Sequence, residues 1–124
     1  MERYTKSFGL HSNYDVVMAR QHAREMSRDM GFGLTDQTRI ATAVSEVARR
    51  AVESHGQISF AAVTDGSRCG IECVCHGGEW ETPSGPPAPQ VQGGIRGVER
   101  LMDDFELLPV EGNMATVVMR KWLR

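Results

Sequence analysis

Glu46 and Arg50 stand four residues apart in a stretch whose apolar residues recur at helical spacing, so they are neighbours on one face of a helix. A carboxylate and a guanidinium placed this way form a plain ion pair worth about 0.3–0.5 kcal/mol. Taken alone, Glu46 reads as a solvated surface carboxylate. Arg50 carries donors and no acceptor, so it can meet an anion and cannot ligate a cation. A second concentration of chemistry is Cys69, Cys73, Cys75 and His76. Structural zinc sites draw paired ligands from two separate segments, and only one cluster exists here. On a strand, Cys69, Ile71, Cys73 and Cys75 share a face, where free thiols pack as small hydrophobes. Buried, metal-free cysteines are therefore expected, with a zinc or redox centre as the alternative. Arg20, Arg24 and Arg28 line one helix face, as a solvated surface or as a complement to an acidic partner. His11, His22 and His55 have no partner at recognisable spacing.

The elements that must position these groups follow from periodicity. Met1 to Leu10 is a weakly patterned first strand. From Asp15 to Met30 the residues Val16, Ala19, Ala23, Met26 and Met30 recur every three or four positions, which predicts a helix closed by Gly31 and Gly33. A second helix opens with Thr35 as N-cap and Asp36 in its first turn, and runs along Ile40, Ala43, Val44, Val47 and Ala51 to His55 and Gly56. The pattern then turns extended. Ile58 to Val63, a turn at Asp65-Gly66-Ser67, and Cys69 to Cys75 read as an antiparallel hairpin. Residues 82–94 hold four of the five prolines and read as a loop, since proline donates no ladder hydrogen bond. A short helix from Ile95 to Asp103 follows. Phe105 to Val110, a turn at Glu111-Gly112-Asn113, and Met114 to Leu123 form a second hairpin. The expectation is a two-layer α+β sandwich, with about three helices on one face of a mostly antiparallel sheet.

At 124 residues, 40% apolar and 24% charged, the chain fits one domain over 1–124. No apolar run approaches the roughly 20 residues of a membrane span, and no secretory signal is visible, so a cytoplasmic protein is expected. A net charge of −2 argues against a general nucleic-acid binder.

Several segments in order, Ala19-Arg20-Gln21, Gly31-Phe32-Gly33, Asp36-Gln37-Thr38-Arg39-Ile40, Thr42 to Arg49, Gly97 to Phe105 and Lys121-Trp122-Leu123-Arg124, make the chain similar to the RsbT-type serine/threonine kinases and anti-sigma switch proteins. The resemblance covers nearly the whole chain. It implies the GHKL, or Bergerat, ATPase fold, a role in bacterial sigma-factor and stress-signalling partner switching, and ATP-dependent phosphorylation of a STAS-domain antagonist. It also implies a nucleotide site with three parts. One part is a helix carrying a general base, matched by Glu46, and a magnesium-binding Asn four residues on, where this chain has Arg50. Another is an Asp-x-Gly-x-Gly turn that binds adenine, and the corresponding stretch here, Val74 to Trp80, puts Gly77 at the Asp position. Neighbouring registers offer His76 or Gly78. The last is a glycine-rich turn holding phosphates at a helix start, kept as Gln92-Gly93-Gly94-Ile95-Arg96-Gly97.

The cofactor-binding set carried over is thus Arg50, Gly77, Gly78, Gly93, Gly94 and Gly97, with Glu46 catalytic if the protein is active, and no metal. One buried adenine hydrogen bond left unreplaced costs about 1–3 kcal/mol. ATP binding is therefore expected to be impaired, with magnesium weak or absent. The function expected is a switch protein acting by binding a STAS-domain protein, a phosphatase or a sigma-regulator module. The alternative is an active kinase phosphorylating a STAS-domain antagonist; for Arg50, the alternative to its pair with Glu46 is direct contact with phosphate oxygens. A homodimer is open to either.

Overall fold

The computed structural model describes residues 5–79, 97–109 and 114–124. In chain order they form β1 (Thr5–Gly9), α1 (Asn13–Met30), α2 (Leu34–Val52), β2 (Gln57–Asp65), β3 (Arg68–Glu79), a short α3 over 97–101, β4 (Asp104–Pro109) and β5 (Met114–Trp122). The five strands make one sheet in the order β1-β2-β3-β5-β4, with every neighbouring pair antiparallel. This is the α+β arrangement expected. Residues 1–4, 80–96 and 110–113 lie outside the described residues, and with them the expected proline-rich loop, the expected start of the third helix and the expected turn at Glu111-Gly112-Asn113.

Helix α1 starts where its backbone donors find a side chain: Asp15 Oδ2 accepts from the backbone N–H of His11 at 2.8 Å and of Ser12 at 3.2 Å. It ends at Gly31, whose φ of 100° is left-handed and open mainly to glycine. Helix α2 departs from the expected start. Its N-cap is Gly33 in an extended conformation, not Thr35, and it begins at Leu34 with Asp36 in the first turn. Backbone geometry leaving Phe32 sets that boundary, and Gln37 reinforces it by donating from Nε2 to the Phe32 carbonyl at 2.7 Å. The β2–β3 turn is confined to Gly66 and Ser67, with Asp65 paired to Arg68 and Gly66 at φ 62°.

The core lies between the helices and one sheet face. Ile40, Ala43, Val44, Val47 and Ala51 of α2 meet Ile58, Phe60, Ile71, Cys73, Val117 and Met119 of the strands, all essentially sealed from solvent. Full burial of such side chains stabilises the fold by roughly 1.5–3 kcal/mol each. Leu10, expected at the end of the first strand, lies just beyond it and is buried in this core. Val98 and Met102 seat the α3 segment in the same core, so Met102 is a packing residue. Cys73 and Cys75 are buried as expected, and burial pushes the Cys75 thiol up to about 12. Cys69 is exposed, against expectation; it sits opposite Thr64, one residue pair from the Asp65–Arg68 end of the hairpin.

One polar junction penetrates the core edge. Lys121 on β5, 4% exposed, reaches Asp103 Oδ1 at 3.5 Å and Asp36 Oδ1 at 3.8 Å. Asp103 also accepts from the Trp122 backbone N–H at 2.8 Å and from Arg124 Nη2 at 2.7 Å. Removing the Asp103 carboxylate leaves a buried ammonium with its more distant partner alone. Asp103→Ala is expected to lower stability by about 2 kcal/mol, whereas Arg124→Ala, at the exposed end of the junction, costs less than about 1 kcal/mol. Urea unfolding of the two variants measures the difference.

Candidate functional site

The C-terminal half of α2 carries its charged side chains on one flank. Glu46, Arg49, Arg50 and Glu53 line an open cleft of about 400 Å³. The ion pair expected between Glu46 and Arg50 is instead made by Glu46 Oε1 and Arg49 Nη1 at 2.9 Å. On a helix, i+3 and i+4 lie on either side of residue i, and rotamers choose between them. Both groups of this pair are about half exposed, so it contributes only a few tenths of a kcal/mol. Arg50, half-buried, opens on the same cleft.

The glycines expected to face the base are joined to this cleft through a residue the sequence did not single out. Ser54 follows Glu53 directly, and its Oγ donates to the Ala51 carbonyl at 3.2 Å while accepting from the Gly78 backbone N–H at 2.7 Å. Gly77 and Gly78 adopt φ of 106° and 90° and form a bulge between His76 and Glu79, where the pairing of β3 with β5 shifts register. A Cβ on Gly77 would lie 2.8 Å from Ser54 Oγ and 3.0 Å from Gly56 Cα. Side chains are thus kept out of this position twice over, by backbone conformation and by the α2–β2 turn packed against it. Next to the bulge, His76 Nδ1 and Thr116 Oγ1 are hydrogen-bonded at 2.9 Å.

The remaining expected site residues are less assembled. Gly97 opens α3, and a Cβ there would meet nothing within 4 Å among the described residues. Gly93 and Gly94 lie outside the described residues. Among the described residues, no three His, Cys, Asp or Glu side chains converge as metal ligands.

A magnesium–nucleotide complex fits these residues poorly. Arg50, which the family resemblance sets opposite the metal ligand, is a guanidinium without a lone pair, and Gly77, which it sets opposite the adenine carboxylate, stands at positive φ where a Cβ would be crowded.

A second concave surface lies on the outer side of the helices. Arg20, Arg24 and Arg28 of α1 and Thr38 and Thr42 of α2 line a groove of about 470 Å³, with Arg24 Nη2 donating to Thr38 Oγ1 at 3.5 Å. Beside it α1 exposes Tyr14, Val17 and Met18 on one stripe. The sequence showed the arginine row; the groove depends on where α2 packs. On the open sheet face, the charges around a cavity of about 520 Å³ are engaged with one another, as in Arg120–Glu72 at 2.8 Å and Trp122 Nε1 donating to Asp104 at 2.8 Å.

An antiparallel five-stranded sheet, covered on one face by two long helices and carrying a polar cleft along the second of them, defines a small α+β domain of the GHKL ATPase type. The same fold occurs in the crystal structure of the RsbU and RsbW domains of a Mycobacterium tuberculosis protein, with a TM-score of 0.64 over 98% of this chain, at 18% identity; the chain spans about a third of that protein (32%). It is 33% identical over 129 positions to the serine/threonine-protein kinase RsbT of Bacillus subtilis, covering 91% of this chain and 92% of that one. No family model matches. The chain belongs to the RsbT family.

The bulge gives a direct test. Gly77→Asp, which puts a carboxylate at the matched position, is expected to destabilise the protein by about 2 kcal/mol or more through backbone strain and crowding, with no gain in Mg-ATP affinity. Urea unfolding and calorimetry measure the two effects.

Proposed function

We propose that this protein is a partner-switching regulator of the RsbT class that works by binding, with its ATP binding impaired. The observation that carries this reading is the packed bulge at Gly77, which excludes an adenine-binding carboxylate, together with Arg50 at the position of the metal ligand. The partner proposed is a STAS-domain protein or a phosphatase or sigma-regulator module. This proposal is supported by similarity to a protein named RsbT and, for the fold, to RsbU and RsbW domains. The arginine groove between α1 and α2 is the docking surface proposed, because its charge suits an acidic surface and its construction does not depend on the cleft. Among the described residues, no helix is long and apolar enough to cross a membrane, which accords with a cytoplasmic setting.

One observation favours the rival reading, an active serine/threonine kinase: Glu46 is retained, and its carboxylate opens on the cleft. Calorimetry separates the two. With the regulator reading, Mg-ATP binds more weakly than low micromolar or not at all, and any residual nucleotide binding is nearly independent of magnesium. Tight, magnesium-dependent binding, or phosphate transfer to a co-encoded STAS protein that Glu46→Gln abolishes, establishes the kinase instead.

Partner binding gives the complementary measurement. Glu46→Gln, which keeps the side chain's shape, is expected to leave affinity for that STAS protein within about threefold, well inside the ~1.4 kcal/mol of a tenfold change. Arg24→Glu is expected to weaken it by more than tenfold, mainly through the association rate. Surface-based kinetic measurement of both variants checks the pair; equal effects, or a larger effect from Glu46→Gln, would move the docking surface to the cleft.

A further inference from the structure

His11 and His55 are 44 positions apart in the chain, yet their Nδ1 atoms face each other at 3.3 Å, with ring centroids 5.5 Å apart and planes tilted by 36°. We propose that they form a two-histidine chelate for a divalent transition-metal ion, with zinc as its first candidate. Zinc–nitrogen bonds are about 2.0–2.1 Å long. Two nitrogens 3.3 Å apart then subtend roughly 105–110° at a metal bound to both, the tetrahedral angle zinc adopts in such sites.

Both rings stand on backbone that the fold holds in place. The His11 backbone N–H is bonded to Asp15 at 2.8 Å, and its ring lies across Gly9, with Nε2 where a Cβ on Gly9 would come within 3.0 Å. His55 sits in the left-handed region at φ 53°, with its N–H bonded to the Val52 carbonyl at 3.1 Å. The two segments are tied between the rings by the Leu10 N–H donating to the Gly56 carbonyl at 2.9 Å. Both side chains are solvent-exposed, so an ion reaches them without a conformational change. With no third His, Cys, Asp or Glu converging among the described residues, water completes the coordination. The site is therefore an exchangeable one that loads with the free ion concentration, unlike a permanent structural centre. A bound ion clips the β1–α1 junction to the α2–β2 turn, whose Ser54 holds the Gly78 bulge.

The same separation also suits one ring donating an N–H to the other, and the experiment decides between a proton and a metal. Zinc chloride is titrated into the full chain by calorimetry in chelator-free buffer, with thermal unfolding followed at each zinc concentration. The native protein is expected to saturate at one ion per chain and to gain thermal stability with zinc, since the ion binds the folded state preferentially. His11→Ala and His55→Ala, both at exposed positions, are each expected to weaken binding at least tenfold and to abolish the stabilisation. Cys69→Ser and His76→Gln are expected to leave both within twofold. Absence of saturable binding, affinity unchanged in either histidine variant, or loss of binding in Cys69→Ser overturns the proposal and leaves a hydrogen-bonded pair. None of these outcomes bears on the regulatory reading, which the chelate does not use.

Discussion

The buried ammonium of Lys121 is the constraint around which the described residues are organised. A charge taken out of water must be met by opposite charge, and here Asp36 and Asp103 supply it from two different parts of the chain. Asp36 belongs to the first turn of α2 and Asp103 to the segment between α3 and β4, so one side chain on β5 fixes helix, connection and strand together. Burial of Ile40, Val44 and Met119 provides far more stabilisation in total, but apolar contact is non-directional. The junction adds direction, tying the first turn of α2 to β5, while the buried stripe of Ile40, Val44, Val47 and Ala51 turns Glu46, Arg49 and Arg50 toward solvent.

From that orientation follows the character of the cleft. Its flank balances Arg49 and Arg50 against Glu46 and Glu53, while the end of β3 is closed by the Ser54 hydroxyl and the Gly77–Gly78 bulge. A bulge whose glycines are needed for their own backbone and for the turn packed on them has no freedom to carry a ligand side chain. Gly77 admits the close approach of Gly56, and the Gly78 N–H bonds the Ser54 hydroxyl of the same α2–β2 turn. Backbone conformation and crowding thus act together at Gly77, where any side chain meets both.

The arginine groove obeys a different logic. It needs only the packing of α1 on α2, where Ala19, Ala23 and Ala41 are small and buried and Ile40 is fully buried. The groove draws on Thr38, Ala41 and Thr42 near the start of α2 and the cleft on Glu46, Arg49, Arg50 and Glu53 near its end, so the two concavities occupy different lengths of the same helix.

Periodicity alone was enough to place both long helices and both hairpins, because apolar spacing near 3.6 or 2 is a local property that burial merely rewards. It also identified the α2 stripe, the row of arginines and the free, mostly buried thiols. Helix starts were less legible: Thr35 has the chemistry of an N-cap, yet the backbone leaving Phe32 put Gly33 there. Other decisions belonged to the tertiary structure. Whether Glu46 pairs with Arg49 or Arg50 depends on rotamers within one turn, and Cys69 is exposed beside the hairpin turn while Cys73 and Cys75 on the same strand are buried. Ser54 meeting Gly78 and His11 meeting His55 span 24 and 44 positions of sequence. Such meetings arise from strand pairing and layer packing, which bring distant residues together without leaving any spacing in the sequence by which to find them.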